Sequence, residues 1–113
     1  MEIVKDKIEL KNLKEMAANG FGNFVKAVVD VENEIMAVDA ELHSDEEAVL
    51  LENGSDQKNL WGINLYPELE GDAFIEFDSM INLRPFQSNR SRGVEDPKIR
   101  EKIKFIVDKL VKK

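Results

Sequence analysis

The stretch FVKAVVDV-EN-EIMAVDAEL, residues 24–42, decides the fold. Both halves are rich in β-branched and apolar residues, and Glu32 and Asn33 alone separate them, which is the length of a tight hairpin connection. Successive side chains of a strand point to opposite faces of a sheet. In the second half Met36 and Val38 share one face, so the stretch predicts an antiparallel hairpin with an apolar face.

Further strands are predicted on both sides of this hairpin. MEIV (1–4) is a short first strand, and NLWGINLYP (59–67) places Trp61, Ile63 and Leu65 on one face. The intervening HSDEEAVLLENG (43–54) fits two structures. Ser44 followed by Glu47 resembles a helix capping box, whereas the apolar run 48–51 before a turn fits a buried strand. We favour the strand, because the next strand along the chain could pair with it.

AFIEFDSMINLR (73–84) has the clearest alternation of the chain. The pattern predicts one long strand with an apolar core face and a second, mostly polar face that is open to water or ligand. The polar face carries Glu76, Asp78, Asn82 and Arg84. The segment that follows, residues 85–96, is rich in turn-forming residues and is predicted to be irregular.

Two helices lie near the ends of the chain. ELKNLKEMAANG (9–20) has helical apolar spacing and stops at Asn19-Gly20. The second helix runs from Pro97 to about Val111, with Asp96 as its N-cap. The predicted fold is therefore α+β: residues 1–113 form a single compact domain, an antiparallel sheet of about five strands packed on one face by the N-terminal and C-terminal helices.

Composition excludes several classes of protein. The chain has no cysteine, which excludes disulfide scaffolds, cysteine zinc sites and thiol nucleophiles. No apolar run has the length of a membrane helix, and the first residues do not resemble a signal peptide. We therefore predict a cytoplasmic protein without a membrane partner.

Charge is distributed unevenly along the chain. Residues 30–80 contain fifteen acids and one base, Lys58, whereas residues 81–113 contain ten bases and four acids. The net charge of −7 argues against broad nucleic-acid binding, which needs a basic face. The basic segment could neutralise the acidic one within the fold, or it could bind an anion from outside.

All four arginines lie between Arg84 and Arg100. Guanidinium groups bind carboxylates and phosphates through two parallel hydrogen bonds, and the segment leads into a helix N-terminus, which attracts anions. We predict Arg84, Asn89, Arg90 and Arg92 as ligand-binding residues. The alternative is that these arginines pair with the protein's own acidic segment.

Acidic residues and the only histidine form a second candidate cluster. If a strand continued through ELHSDEE (41–47), alternate residues would share one face: Glu41, His43, Asp45 and Glu47. Such a set could serve acid–base chemistry or hold a divalent ion. The catalytic candidates are His43, Glu41, Glu76 and Asp78, and the metal candidates are His43 and Asp45. No established metal-site spacing is matched, and the cofactor is left open.

Three stretches carry a resemblance that covers nearly the whole chain. ELHSDEE (41–47), LLENGSDQKNLWGINLYP (50–67) and INLRPFQSNRS with DPKIR (81–100) resemble a family of small uncharacterised archaeal and bacterial proteins, a domain of unknown function. Glycines are common there in place of VDAELH, so Asp39-Ala40 is a local departure. The resemblance implies one compact domain standing alone, and it implies no activity and no catalytic residue.

Three functions stay open at this point. The first is a binding domain that recognises an anionic small molecule or an acidic partner, and it could form a homo-oligomer. The second is a small hydrolase or transferase, which requires the acidic residues, His43 and the arginines to converge on one pocket. The third is a structural or protein-interaction module.

Overall fold

The predicted hairpin forms the centre of the sheet. A computed structural model describes residues 1–113. Five strands form an antiparallel sheet, and in chain order they are β1 (Glu2–Val4), β3 (Val25–Asp30), β4 (Ile35–Val38), β5 (Leu60–Leu65) and β6 (Ile75–Glu76). Their spatial order is β1-β4-β3-β5-β6. Two further strands, β2 (Ile8–Glu9) and β7 (Val111–Lys112), pair in parallel beside it. The α+β class and the five antiparallel strands are confirmed.

Two helices cover one face of the sheet, as predicted. Helix α1 (Leu10–Asn19) and helix α3 (Pro97–Leu110) bury their apolar sides against β3, β4 and β5. The Asp96 side chain accepts a hydrogen bond from the Lys98 N–H, which confirms the predicted N-cap of α3. None of the three helices of the protein is long and apolar enough to cross a membrane. The main apolar core lies on this face and includes Leu13, Met36, Ile63 and Ile106.

The opposite face is covered by a helix that we did not predict. Residues His43–Glu52 form helix α2, not the strand favoured from the sequence. The helix buries Leu50 on Val28, Ala37 and Leu60, which form a second and smaller apolar cluster. Its N-cap position is Leu42 and has no side-chain cap, so the predicted capping box does not form either.

The predicted long strand 73–84 is wrong outside Ile75–Glu76, since Gly71–Phe74 form a 3₁₀ turn. Strand β6 has two residues, and the chain then crosses the face of β5 through short 3₁₀ turns at Met80–Asn82 and Pro85–Gln87. Side chains replace the missing strand at the β5 edge. The Asn82 amide bonds to both the N–H and the carbonyl of Gly62, each at 2.9 Å, and the Arg84 guanidinium donates to the Leu60 carbonyl.

Glycine at position 62 permits this crossing. A Cβ atom there would lie 2.5 Å from the Cβ of Ser79, far inside contact distance. Residues 79–82 can therefore lie directly on β5, which closes one side of a cleft between the sheet and α2.

Candidate ligand-binding cleft

Strand register aligns three polar residues on the α2 face of the sheet. Lys26 of β3 lies directly opposite Asn64 of β5, and Asn64 lies directly opposite Glu76 of β6. Directly opposed residues of antiparallel strands are about 5 Å apart. Cation, amide and carboxylate therefore stand in one row across the sheet, at the end that Leu50 of α2 does not cover.

The start of α2 and the crossing segment enclose this row. The resulting cleft has a volume of about 380 Å³. Its polar lining is contributed by five parts of the chain: Lys26, His43, Ser44, Asn64, Glu76, Asp78, Ser79 and Arg92. Leu42 and Met80 line it with exposed apolar surface.

Acceptor atoms in the cleft are only partly satisfied. Asn64 donates from Nδ2 to Glu76 Oε1 at 2.8 Å, and the Tyr66 hydroxyl donates to the same oxygen at 3.0 Å. Glu76 Oε2 makes no hydrogen bond within the protein. Asn64 is 6% exposed, and its Oδ1 is a buried atom without a hydrogen-bond partner. Because both acceptors of Nδ2 are oxygens, the amide cannot be flipped to satisfy Oδ1.

His43 is the first residue of α2 and lies in the wall of the cleft. Its Nε2 is 2.7 Å from the Ile63 carbonyl oxygen, so Nε2 carries the proton and donates it. Nδ1 is then an acceptor, and it bonds to no other protein atom. Burial lowers the pKa of His43 from its ordinary value, despite the hydrogen bond to Ile63. The ring is therefore neutral at pH 7 and able to accept a proton.

Two cations line the cleft in different states. Arg92 donates from Nε to Asp78 Oδ1 at 2.6 Å, which leaves its two terminal nitrogens unbonded. Lys26 makes no ion pair, and its ammonium lies 5.0 Å from the centre of the Phe21 ring. Lys26 is partly buried as a residue, and no carboxylate of the protein pairs with its ammonium, which leaves that charge able to pair with an anion.

A buried carboxyl group lies behind the cleft. Glu46 of α2 is fully buried, accepts a hydrogen bond from the Ala40 N–H at 3.0 Å through Oε2, and has no partner at Oε1. Burial raises the pKa of Glu46 to about 9, against the lowering effect of the Ala40 bond. The side chain is therefore uncharged at neutral pH and does not neutralise Lys26.

A family model matches residues 2–110 of the chain. The chain belongs to the family described as protein of unknown function DUF5674. The match covers nearly the whole chain and confirms the predicted resemblance to a domain of unknown function. No curated protein and no solved structure matches the chain.

In this DUF5674 protein the four arginines serve different purposes. Arg84 is 3% exposed and donates to the carbonyls of Ile81, Gln57 and Leu60, with Glu47 at 3.8 Å. Arg100 donates to two carbonyls at the start of α3. The Arg90 side chain is exposed and makes no hydrogen bond. Arg92 alone among the arginines lines the cleft.

Asn89 is buried within the loop of residues 82–95 and holds it together by hydrogen bonds. It is 3% exposed, its Nδ2 donates to the carbonyls of Asn82 and Gly93 at 2.8 Å, and its Oδ1 accepts from the Glu95 N–H at 2.9 Å. Asn89 and Arg84 therefore hold the loop that presents Arg92, and their polar atoms are occupied by the protein's own backbone.

The predicted acidic face of residues 41–47 does not form. Because these residues enter a helix, alternate side chains diverge. His43 lines the main cleft, Glu41 lies in a separate surface depression beside Asp39, Asp45 is exposed, and Glu47 faces Arg84. No three histidine, cysteine or acidic side chains lie close enough to hold a metal ion, so His43 and Asp45 do not form a metal centre together.

Sequence reasoning missed Lys26 and Asn64. Both are polar residues that interrupt largely apolar strands, VKAVVD (25–30) and LWGINL (60–65), and both lie on the face opposite the main apolar core. That interruption on two predicted strands is the signal that could have been used. It points to a polar region on the second face of the sheet.

Proposed function

We propose that the cleft binds a small molecule that carries a carboxylate or phosphate group. The observation that supports this most strongly is Lys26, a partly buried lysine whose ammonium has no ion-pair partner, in a cleft that is also lined by Arg92 with its two free terminal nitrogens. A hydrogen bond between ionised groups contributes about 1.5–3 kcal/mol, so two such cations can hold an anionic group.

The start of α2 adds to this attraction. The first backbone N–H groups of a helix have no partner within the helix and carry a partial positive charge. His43 and Ser44 provide them beside the cleft, and Leu42 has no side chain that could cap them. The anion site predicted from the sequence is thereby moved from the arginine segment as a whole to Arg92, Lys26 and the N-terminus of α2.

Two arginines only two residues apart allow a matched test. We expect inorganic phosphate, ethyl phosphate or glutarate to raise the thermal unfolding midpoint at low ionic strength, since ligands that bind the native state stabilise it. Lys26→Met and Arg92→Gln should each weaken binding by about tenfold, and Arg90→Gln should not change it. Equal losses in Arg90→Gln and Arg92→Gln would contradict a cleft site.

A second candidate function is acid–base catalysis by a small hydrolase or transferase. The observation that favours it is the convergence of His43, Glu76, Asp78 and Arg92 on one cleft, which is the condition this function requires. His43 would act as the base through Nδ1, and Arg92 would stabilise negative charge on the reacting group. Glu41 has no part in it, because it lies outside the cleft.

Catalysis and binding can be separated experimentally. A screen with chromogenic phosphate and carboxylate esters should show turnover that His43→Gln abolishes while the affinity for ethyl phosphate is retained. Turnover unchanged in His43→Gln would exclude His43 as the base. Binding without any turnover would leave the DUF5674 protein as a binding domain.

A cytoplasmic location and a homo-oligomer stay predictions. Light scattering at several protein concentrations, with and without ethyl phosphate, measures the mass in solution. A monomer mass at all concentrations would contradict the homo-oligomer.

A further inference from the structure

The cleft contains a buried acceptor without a partner as well as an unpaired cation, Lys26. Asn64 Oδ1 is buried without a partner. Beside it, Glu76 and Asp78 each keep one carboxylate oxygen that bonds to no protein atom and is open to water. Buried polar atoms are normally paired, because an unpaired one loses its bonds to water on folding. Asn64 Oδ1 therefore calls for a hydrogen-bond donor, which a carboxylate or a fully ionised phosphate ester does not supply.

Charge in the cleft points the same way. Lys26 and Arg92 are positive, Glu76 and Asp78 are negative, and His43 is neutral at pH 7, so these side chains sum to zero. An anion attracted by the cations also meets two carboxylates. A ligand that carries one positive and one negative group can contact both the cations and the carboxylates, and it leaves the net charge of the cleft at zero.

The positions of these groups separate the two ends of such a ligand. Lys26 and Glu76 flank Asn64 in the row across β3, β5 and β6, so cation and carboxylate are two strand spacings apart, about 10 Å. Asn64 lies between them, with its unpartnered Oδ1. The unpaired cation thus lies on the β3 side of the cleft, whereas the β6 side carries the Glu76 carboxylate and the Arg92–Asp78 ion pair.

We propose that the ligand of this cleft is a small zwitterion, a molecule with a primary ammonium group and a carboxylate or phosphate group. Its ammonium group binds Glu76 and Asp78, and its anionic group binds Lys26 and the N-terminus of α2. Amino acids and amino-alkyl phosphates belong to this class. The inference rests on the proposed anion site and adds the chemistry of the opposite end of the ligand.

Matched ligand pairs test the ammonium group separately from the anion. O-phosphoethanolamine and ethyl phosphate differ by one amino group, as do glutamate and glutarate. Affinities are measured by calorimetry at pH 7.5 and low ionic strength, with the wild type, Glu76→Gln and Lys26→Met. The control is Glu52→Gln, which removes an exposed carboxylate at the far end of α2.

We expect the amino member of each pair to bind about tenfold more tightly to the wild type, the ratio that one bond between ionised groups provides. The ratio should fall below about threefold in Glu76→Gln and stay unchanged in Glu52→Gln. Lys26→Met should weaken both members of a pair equally.

Three results would overturn the proposal in different ways. If the amino group adds no affinity while ethyl phosphate still binds in a Lys26-dependent manner, the zwitterion inference fails and the anion site stands. If no member of either pair binds, both fail. A preference for the amino member that persists in Glu76→Gln would place the ammonium group elsewhere and contradict the assignment.

Discussion

The two faces of the sheet are closed by different means. On one face α1 and α3 bury a continuous apolar core of 19 residues. On the other, Leu50 of α2 packs on only three buried apolar residues of the sheet region. The remaining area is bordered by residues 79–95, which are held by hydrogen bonds from Asn82, Arg84 and Asn89 to the backbone. The first face provides most of the apolar burial. The second leaves room for a polar cleft.

The largest effect of a substitution on stability is expected on the apolar face. Ile106→Ala in α3 removes a fully buried side chain and should lower the free energy of unfolding by about 3 kcal/mol, measured by urea denaturation. Phe105→Ala is the control on the same helix, because Phe105 is 56% exposed. Equal losses from the two substitutions would contradict the described orientation of α3.

A somewhat smaller effect is expected where hydrogen bonds close the second face. Asn82→Ala leaves the N–H and carbonyl of Gly62 and the carbonyl of Arg92 without partners. It should lower the free energy of unfolding by about 2–3 kcal/mol. Hydrogen exchange of the Gly62 amide should become faster. Asn12→Ala, at an exposed position of α1, is the control. Unchanged exchange at Gly62 would show that Asn82 does not hold the β5 edge.

Glu46, which lies on the second face, should make the stability of the protein depend on pH. The pKa of Glu46 in the folded protein is about 9, above its ordinary value of 4.5. The contribution of this side chain to the free energy of unfolding is therefore fully present below pH 4.5 and is lost as the pH rises towards 9. Each pKa unit corresponds to about 1.4 kcal/mol. Between pH 5 and pH 8 we expect the free energy of unfolding of Glu46→Gln to rise by on the order of 2 kcal/mol relative to that of the wild type. This is less than the whole pKa shift would give, because screening inside the protein reduces it.

Denaturation curves of both proteins at several pH values measure this difference. Glu52→Gln, on the same helix but exposed, should follow the wild type. Parallel pH profiles of Glu46→Gln and the wild type would mean that Glu46 is ionised in the folded protein.

The smallest effect concerns an ion pair at the edge of the apolar face. Glu34 follows the hairpin turn and contacts Lys102 at 2.7 Å and Lys109 of α3, and these hydrogen bonds lower its pKa to about 2. The stabilisation is present above pH 4.5 and is lost as the pH falls towards 2. Glu34→Gln should therefore flatten the acid limb of the stability profile slightly, whereas Glu32→Gln should not. An unchanged acid limb in Glu34→Gln would exclude this pairing in solution.

Sequence patterns predicted the apolar face better than the polar one. Burial on one side imposes period 2 on strands and period 3.6 on helices, which is why β3, β4, β5, α1 and α3 could be identified. In α2 the apolar residues 48–51 are contiguous, and Leu50 alone among them is fully buried, so the pattern resembled a strand.

The prediction of a strand over residues 77–84, where the chain crosses β5, was wrong for another reason. Residues 77–84 keep the alternation of a strand, but Asn82 and Arg84 use their side chains to bond residues that are 20 and 24 positions away. Sequence spacing does not show such pairs. Sequence patterns placed His43, Glu76 and Asp78 in one catalytic set and Arg92 in a separate ligand-binding set, whereas Lys26 and Asn64 join them only through strand register.

A titration with O-phosphoethanolamine followed by amide NMR spectra tests the central claim, that the second face carries a binding cleft. We predict saturable shifts of the backbone amides of His43, Ser44 and Arg92 and of the side-chain amide of Asn64, all lost in Lys26→Met. Shifts confined to the lysines around the start of α1 (Lys11, Lys14, Lys112 and Lys113), or no saturable shift at all, would contradict it.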